Sequence, residues 1–369
     1  MTSEEEKRTS RRNFLRGKLV SPPKEESIEE TRPEPDASAE GASGAYLIQL
    51  ARQAMACQFE VYLNASGPGS EADGAVAALD LVNELEQQLS AYRADSEICQ
   101  LAATAYLRPV PVESRLFQLL ELSLQLHRDT HGAFDITAGP LTKVWGFFDR
   151  EGKVPLESDL ADAMALVGSN QIELNSEDQT LSLAREGVEL NLGSIGKGYA
   201  LDRCQEVLLD ANVEDFLIHG GTSSVLAHGI RRDGSARDGW EVGVPHPLRP
   251  DRRIGTVHLK NEALGTSGAA FQAFFHQGKK YGHVLDPRTG RPATKVLSST
   301  VIAPTAALAD ALATACYVMG PDETETCLEN YPDVSVLLVI EGKRRGSVET
   351  IMLGEMSQRL IGTTSTSSE

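Results

Sequence analysis

Cysteine is scarce in this 369-residue chain, long apolar runs are missing and positive charge is in deficit. Each shortage removes a class of protein. Cys57, Cys99, Cys204, Cys316 and Cys327 are odd in number, widely spaced and without a C-x-x-C pair. That pattern excludes a disulfide framework and a zinc site, and leaves buried free thiols. No apolar stretch reaches the roughly 20 residues that a membrane-spanning helix needs. A formal net charge of −18 argues against nucleic acid as a partner. No repeat of solenoid length occurs. What remains, 41% hydrophobic and 24% charged residues, is enough for one large core or two lobes.

Residues 1–44 are rich in Glu, Ser, Pro and Arg and have almost no apolar periodicity, so they read as a disordered polar tail ahead of a domain over 45–362. Within the tail, Ser10-Arg11-Arg12-Asn13-Phe14-Leu15-Arg16 resembles the twin-arginine export motif. The apolar segment that should follow it is absent, since Gly-Lys-Leu-Val-Ser-Pro-Pro-Lys-Glu-Glu comes next, and no lipobox cysteine precedes Cys57. This favours the cytoplasm, with export as the alternative.

Beyond the tail, strands and helices mix without a strict β-α-β alternation. Helical spacing covers Ala72 to Ala91, Ser114 to His131 and Leu156 to Val167. Alternation predicts strands at Tyr46 to Gln49, Cys57 to Leu63, Gln171 to Leu174, Thr180 to Leu183, Trp240 to Val244, Arg253 to Leu259 and Val334 to Ile340. The expected class is α+β, with a mixed, mainly antiparallel sheet packed with helices. Gly229 to Arg237 forms a charged loop, and His127 and His131 are expected to decorate a helix end stopped at Gly132.

Three segments carry chemistry. In the first, Tyr281, His283 and Leu285 alternate along a strand, Asp286-Pro-Arg-Thr-Gly290 supplies a tight reversal, and a strand from Val296 to Ile302 follows. An imidazole, which titrates near neutrality, thus stands beside a carboxylate; an edge turn with a surface histidine is the alternative. In the second, Thr305 caps and Gly320 ends a helix on which Asp310 and Thr314 are one turn apart. Their neighbours are Ala, Leu, Val and Met, so the carboxylate needs a partner. Thr314 is one; a hard cation such as Mg²⁺, held by both oxygens, is the other.

In the third, Val188, Leu190 and Leu192 alternate as a strand, Gly193, Gly196 and Gly198 break it, and a helix follows. Lys197 in this turn, with the helix N-terminus, suits a phosphate. A P-loop is excluded because Gly198 follows the lysine, and the G-x-G-x-x-G spacing is absent. A plain Gly-rich connection with a solvated lysine is the alternative.

In order, these segments resemble the ApbE family, the Mg²⁺-dependent FAD:protein FMN transferases. Leu89-Ser-Ala-Tyr92…Ser96-Glu97, Gly132-Ala133-Phe134-Asp135-Ile-Thr-Ala-Gly139-Pro140-Leu141…Trp145-Gly146-Phe147, Phe216-Leu-Ile-His-Gly220-Gly221, Gly265-Thr266-Ser267-Gly268 and Ser299 to Gly320 extend the likeness over residues 46 to 354. The resemblance implies an ApbE-like α+β fold in one catalytic unit, FAD as substrate and Mg²⁺ as cofactor. It implies attack by a Ser or Thr hydroxyl of an acceptor protein on the FMN-side phosphorus, with AMP leaving. It assigns the metal to Asp310, Thr314 and the Ser194 carbonyl. Lys197, with Gly193 and Gly196, faces the phosphates. His283 takes the hydroxyl proton and Asp286 orients it or shares the role. Met55, Tyr92, Ala133, Phe134 and Asp135 match positions that line the flavin and adenine pockets.

Because the net charge cannot attract an anionic dinucleotide, Lys197, its helix N-terminus, the metal and Arg288 are the expected local sources of attraction. The chain departs from the family pattern in four places. M-G-T is Met55-Ala56-Cys57, G-G-D is Gly220-Gly221-Thr222, S-G-D-Y is Ser267-Gly268-Ala269-Ala270, and Ala102 follows Leu101 where asparagine is usual. These spare the metal and phosphate elements and bear on acceptor recognition. The alternative activities are an FAD pyrophosphatase giving FMN and AMP, and a non-catalytic flavin binder.

Overall fold

Eight strands follow one another across a single sheet in the order in which they occur along the chain, and every neighbouring pair is antiparallel. They are β1 (Leu47–Ala54), β2 (Cys57–Asn64), β3 (Phe216–Gly220), β4 (Ser224–His228), β5 (Glu262–Gly268), β6 (Ser298–Ala303), β7 (Ser335–Glu341) and β8 (Val348–Leu353). The computed structural model describes residues 47–64, 70–232, 238–268, 273–344 and 346–362. The N-terminal tail with its twin-arginine-like motif, residues 233–237 of the charged loop, and Ala269-Ala270 lie outside them. Among the described residues no helix is long and apolar enough to cross a membrane.

Side-chain alternation explains how the sheet is covered. Phe59, Val61 and Leu63 of β2 point to one face, where three helices pack. The helix α1 (Ser70–Leu89) lies on β1 and β2, α2 (Gly196–Asp210) on β3 and β4, and α3 (Ala306–Met319) mainly on β5 and β6. The other face is covered by a long hairpin, Trp240–His246 with Arg249–Leu259, whose Trp240, Val257 and Leu259 pack on Leu264, Ile302 and Leu337. Strand β6 is therefore buried along its whole length. Each such apolar side chain contributes about 1.5–3 kcal/mol by leaving water.

Helix α3 is apolar nearly all round, as a helix inside a protein must be. Thr305 caps it by accepting from the Leu308 amide, and Gly320, at φ 76°, ends it. Glycine lets its neighbours approach closely. A Cβ on Gly198 of α2 would lie 2.0 Å from the Ala306 carbonyl oxygen, and one on Gly265 of β5 would lie 2.8 Å from the Asp310 amide. Only glycine fits at either place.

Two expectations need correction. Val188, Leu190 and Leu192 are buried as their alternation demands, but the segment is not a strand. It runs extended without a ladder, with the Asn191 amide donating to the Ile136 carbonyl at 2.6 Å. The hairpin around Asp286 is also built differently. Its turn closes a ladder of only Leu285–Asp286 with Arg291–Pro292, while Lys279–Gly282 pairs backwards with Ala273–His276 and β6 joins the main sheet. Side-chain alternation reports burial of one face and does not name the partner strand.

The β1–β2 connection is a two-residue turn in which Met55 has φ 48° and Ala56 φ 58°. Left-handed backbone costs an L-residue about 1–2 kcal/mol. The exposed Ala56 stands where the family pattern has glycine. Ala56→Gly is expected to stabilise the protein by about 1 kcal/mol in equilibrium denaturation, after the larger chain entropy of glycine is set against the strain removed. A lowered midpoint would show that the turn tolerates alanine without strain.

Candidate active site

Close packing of α2 on α3 brings Lys197 and Asp310 together. Asp310 is 4% exposed, and each of its oxygens has a partner. Oδ2 accepts from the Gly198 amide at 3.1 Å, Oδ1 accepts from the Ser224 hydroxyl at 3.1 Å, and the Lys197 ammonium lies 3.7 Å from Oδ2. Thr314 is not the carboxylate's partner: its hydroxyl lies 2.9 Å from that of Ser267 and 3.4 Å from the Asp310 carbonyl, to which it donates. Asp202, a turn beyond Lys197, holds the two helices in place by accepting from the Ala306 and Ala307 amides at 2.7 and 2.8 Å. Burial pushes the Asp202 carboxyl up to about 6 although those amides pull it down.

Ser194 lies just before Ile195, the N-cap of α2. The Gly198 amide is one of the four that a helix N-terminus leaves without an intrahelical acceptor, and the Asp310 carboxylate supplies one. The Ser194 carbonyl stands outside the helical ladder and accepts none of the described backbone bonds. The buried Asp310 carboxylate, the Ser194 carbonyl and the Thr314 hydroxyl form a set of hard oxygen donors. No group of three His, Cys, Asp or Glu side chains that could hold a metal occurs among the described residues. The set fits Mg²⁺, which takes one or two carboxylates and completes its shell with water and phosphate oxygens.

Cys57, the residue that replaces threonine in the family pattern, belongs to the same neighbourhood. Burial pushes its thiol pKa up, Lys197 pulls it down, and Asp310 and Glu86 push it up again, for a net rise. Gly196 packs on Leu89, and the Gly193 amide donates to the Asn191 side chain at 2.9 Å. Met55 is half-buried at the neighbouring turn.

His283 lies apart from this group in sequence and is half-buried, its ring set edgewise to Phe147 at 6.5 Å and 74°. Both Asp286 oxygens are held by Arg288, at 2.9 Å each. Arg288 also bonds Glu323, just beyond α3, and these hydrogen bonds outweigh burial and raise its pKa. Its guanidinium is therefore a clamp between the turn and the end of α3, which corrects the expectation that it serves a phosphate.

The remaining candidates divide. Tyr92 is 63% exposed and stacks on Phe148 at 4.7 Å, whereas Ala133 and Phe134 are each 1% exposed. The Asp135 carboxylate, expected in a pocket wall, is spent inside the protein. It accepts from the Thr137 amide and hydroxyl, from the Ser169 amide and hydroxyl, and pairs with His127 at 3.1 Å. His127 thus ties a helix end to a loop, a more specific role than decoration.

This pair sets a pH dependence. The Asp135 bond raises the His127 pKa against burial, so its stabilisation is full below the ordinary 6.5 and is lost as pH rises through the raised value. For Asp135, burial pushes the pKa up, but the His127 and Thr137 bonds outweigh it, so its stabilisation is full above the ordinary 3.8 and is lost on further acidification. The melting-temperature gap between wild type and His127→Asn is expected to be widest between pH 3.8 and 6.5 and to narrow above it. A gap that widens towards alkaline pH would reverse the assignment.

Residues 55–338 match the pattern that defines the ApbE family. The chain is 32% identical over 302 residues to a protein of Treponema pallidum (strain Nichols) named FAD:protein FMN transferase, covering 78% of this chain and 82% of that one. A protein of the same name from Haemophilus influenzae is 31% identical over 268 residues, covering 70% and 76%. Among solved structures, the flavin transferase ApbE from Vibrio cholerae superposes with a TM-score of 0.75 at 25% identity, covering 86% of this chain and all of that one. The ApbE protein from Thermotoga maritima gives 0.74 at 27% identity, covering 85% and 98%. Fold, motif order and relatives agree: this chain belongs to the ApbE family.

Proposed function

We propose that the protein transfers the FMN moiety of FAD to a Ser or Thr hydroxyl of an acceptor protein and releases AMP, with Mg²⁺ as cofactor. The observation that carries this reading is the buried Asp310 carboxylate, fixed by Gly198 and Ser224, with the Lys197 ammonium 3.7 Å away at a helix N-terminus. Such a juxtaposition suits a metal-bound pyrophosphate, because the carboxylate serves the cation while the ammonium and helix dipole serve the phosphate oxygens. Asp310, Thr314 and the Ser194 carbonyl would hold Mg²⁺, which supplies charge neutralisation on the pyrophosphate.

The protein's own groups do the rest. Lys197 binds and orients the diphosphate. His283 accepts the proton of the acceptor hydroxyl as its oxygen forms a bond to the FMN phosphorus, and the phosphoanhydride bond to AMP breaks with the electron pair leaving on AMP. Asp286, bound to Arg288, holds the turn that carries His283. Positioning and charge suffice for a reaction of this type without a covalent enzyme intermediate.

Incubation with FAD and MgCl₂ and a Ser- or Thr-bearing acceptor domain tests the reading. Flavin fluorescence on the denatured acceptor and an equal amount of AMP are expected, and EDTA should abolish both. Free FMN with an unlabelled acceptor would make the protein an FAD pyrophosphatase; no turnover of FAD would make it a flavin binder.

A further inference from the structure

The hairpin of Ala273–His276 and Lys279–Gly282 is built with two different faces. In its register Phe274 opposes Tyr281 and Phe275 opposes Lys280, so the members of each pair share a face. Phe274 and Tyr281 stack at 5.2 Å and 13°, and Phe274 also meets Phe147 at 5.6 Å and Trp145 at 6.5 Å. It lies so close to Gly152 that a Cβ there would be 2.5 Å from its ring. One face is therefore anchored to the protein.

Among the described residues the other face is uncovered. Phe275 is 73% exposed, the most exposed large apolar side chain among the described residues. Lys280 shares this face, His276 and Lys279 are exposed beside the turn on the Tyr281 side, and the segment 273–282 contains no acidic residue although the chain carries −18 overall. Lys143, Lys260 and Lys295 pair with carboxylates, but neither hairpin lysine does so among the described residues; the Lys279 ammonium lies over the Tyr281 ring at 5.3 Å. The second strand runs straight into His283, whose ring meets Phe147, the residue that also supports Phe274.

We propose that the tip of this hairpin docks the acceptor protein, through an acidic segment that lays an apolar group on Phe275 and carboxylates on Lys280 and, around the edge of the hairpin, on Lys279. The inference rests on the transferase reading and names the chemistry of its partner. Charge complementarity selects an acidic occupant, because an unpaired basic patch on a strongly acidic protein attracts only anionic partners. The strand that carries Lys279 and Lys280 ends beside His283, so an occupant of the tip lies along the segment that leads to the proposed base. A lipid surface is disfavoured: one aromatic side chain buries little in a bilayer, and the net charge repels anionic headgroups.

Fluorescence anisotropy of a fluorescein-labelled Glu/Gly/Ser peptide, added to the FAD-loaded protein, reads docking without requiring transfer. The acidic peptide is expected to bind at least about tenfold more tightly than its Gln/Gly/Ser counterpart. Lys279→Glu with Lys280→Glu should remove that preference and Phe275→Ser should weaken binding about tenfold. FAD affinity should be unchanged and Lys280→Arg should behave as wild type. In transfer assays the same variants should raise KM for the peptide and leave kcat unchanged. Equal affinity for both peptides, variants that bind like wild type, or binding to phosphatidylserine vesicles but not to the peptide would overturn the proposal. Docking without any flavin transfer would sink the transferase reading instead.

Discussion

Asp310→Asn is expected to abolish flavin transfer while the protein remains folded. The substitution keeps the shape of the side chain, and its surroundings can adapt. The amide oxygen still accepts from Gly198, and the amide nitrogen donates to the Ser224 oxygen once that hydroxyl turns round. Both buried bonds survive, so the cost of an unsatisfied polar group does not arise. What disappears is the negative charge beside Lys197, the one carboxylate of the proposed donor set. Calorimetry with Mg²⁺ in the presence of FAD should show binding by wild type and none by the variant, with matching melting curves. Unchanged Mg²⁺ affinity in Asp310→Asn would return the residue to a purely structural role between the helices.

His283→Ala is expected to slow transfer by about 10² to 10⁴ and to leave FAD and Mg²⁺ binding intact, because a general base acts only as the hydroxyl attacks. Asp286→Asn should cost less. Its carboxylate is committed to Arg288, so its loss loosens the turn and leaves Glu323 to hold the guanidinium. Stopped-flow transfer rates at saturating FAD separate the two variants. If Asp286→Asn is inactive and His283→Ala nearly normal, the carboxylate is the base and the two roles exchange.

Helical and strand periodicities were legible where the element is long or its burial one-sided. The α3 pattern, with Thr305, Asp310, Thr314 and Gly320 in fixed positions, placed a carboxylate in an apolar helix before any coordinates. Its partners were not legible. Ser224 and Ser267 reach Asp310 and Thr314 from strands that become neighbours only when the sheet forms, and a serine has no local signature for such a task. Asp202 and the His127–Asp135 pair were missed for the same reason, since each joins segments through tertiary contact. Glu97–Thr104 is too short for a periodic signal, although Ser96 caps it as the sequence allows by accepting from Cys99. The family likeness supplied roles that periodicity could not. Arg288, expected from the charge balance, shows the limit of that argument: a cation near a site is available to a substrate only if no carboxylate has claimed it.

The order of the sheet has one further effect. All but one of its neighbouring strands follow closely or at moderate distance along the chain, but β2 ends at Asn64 and its neighbour β3 begins at Phe216. Lys197 lies on this excursion, while Ser224 and Asp310 lie beyond it. Closing so long a loop is an entropic barrier that local hairpins do not face. During refolding, then, β1 with β2 and β5 to β8 can pair early, and the corner that holds Lys197 beside Asp310 assembles last, so recovered FAD binding should trail recovered sheet content.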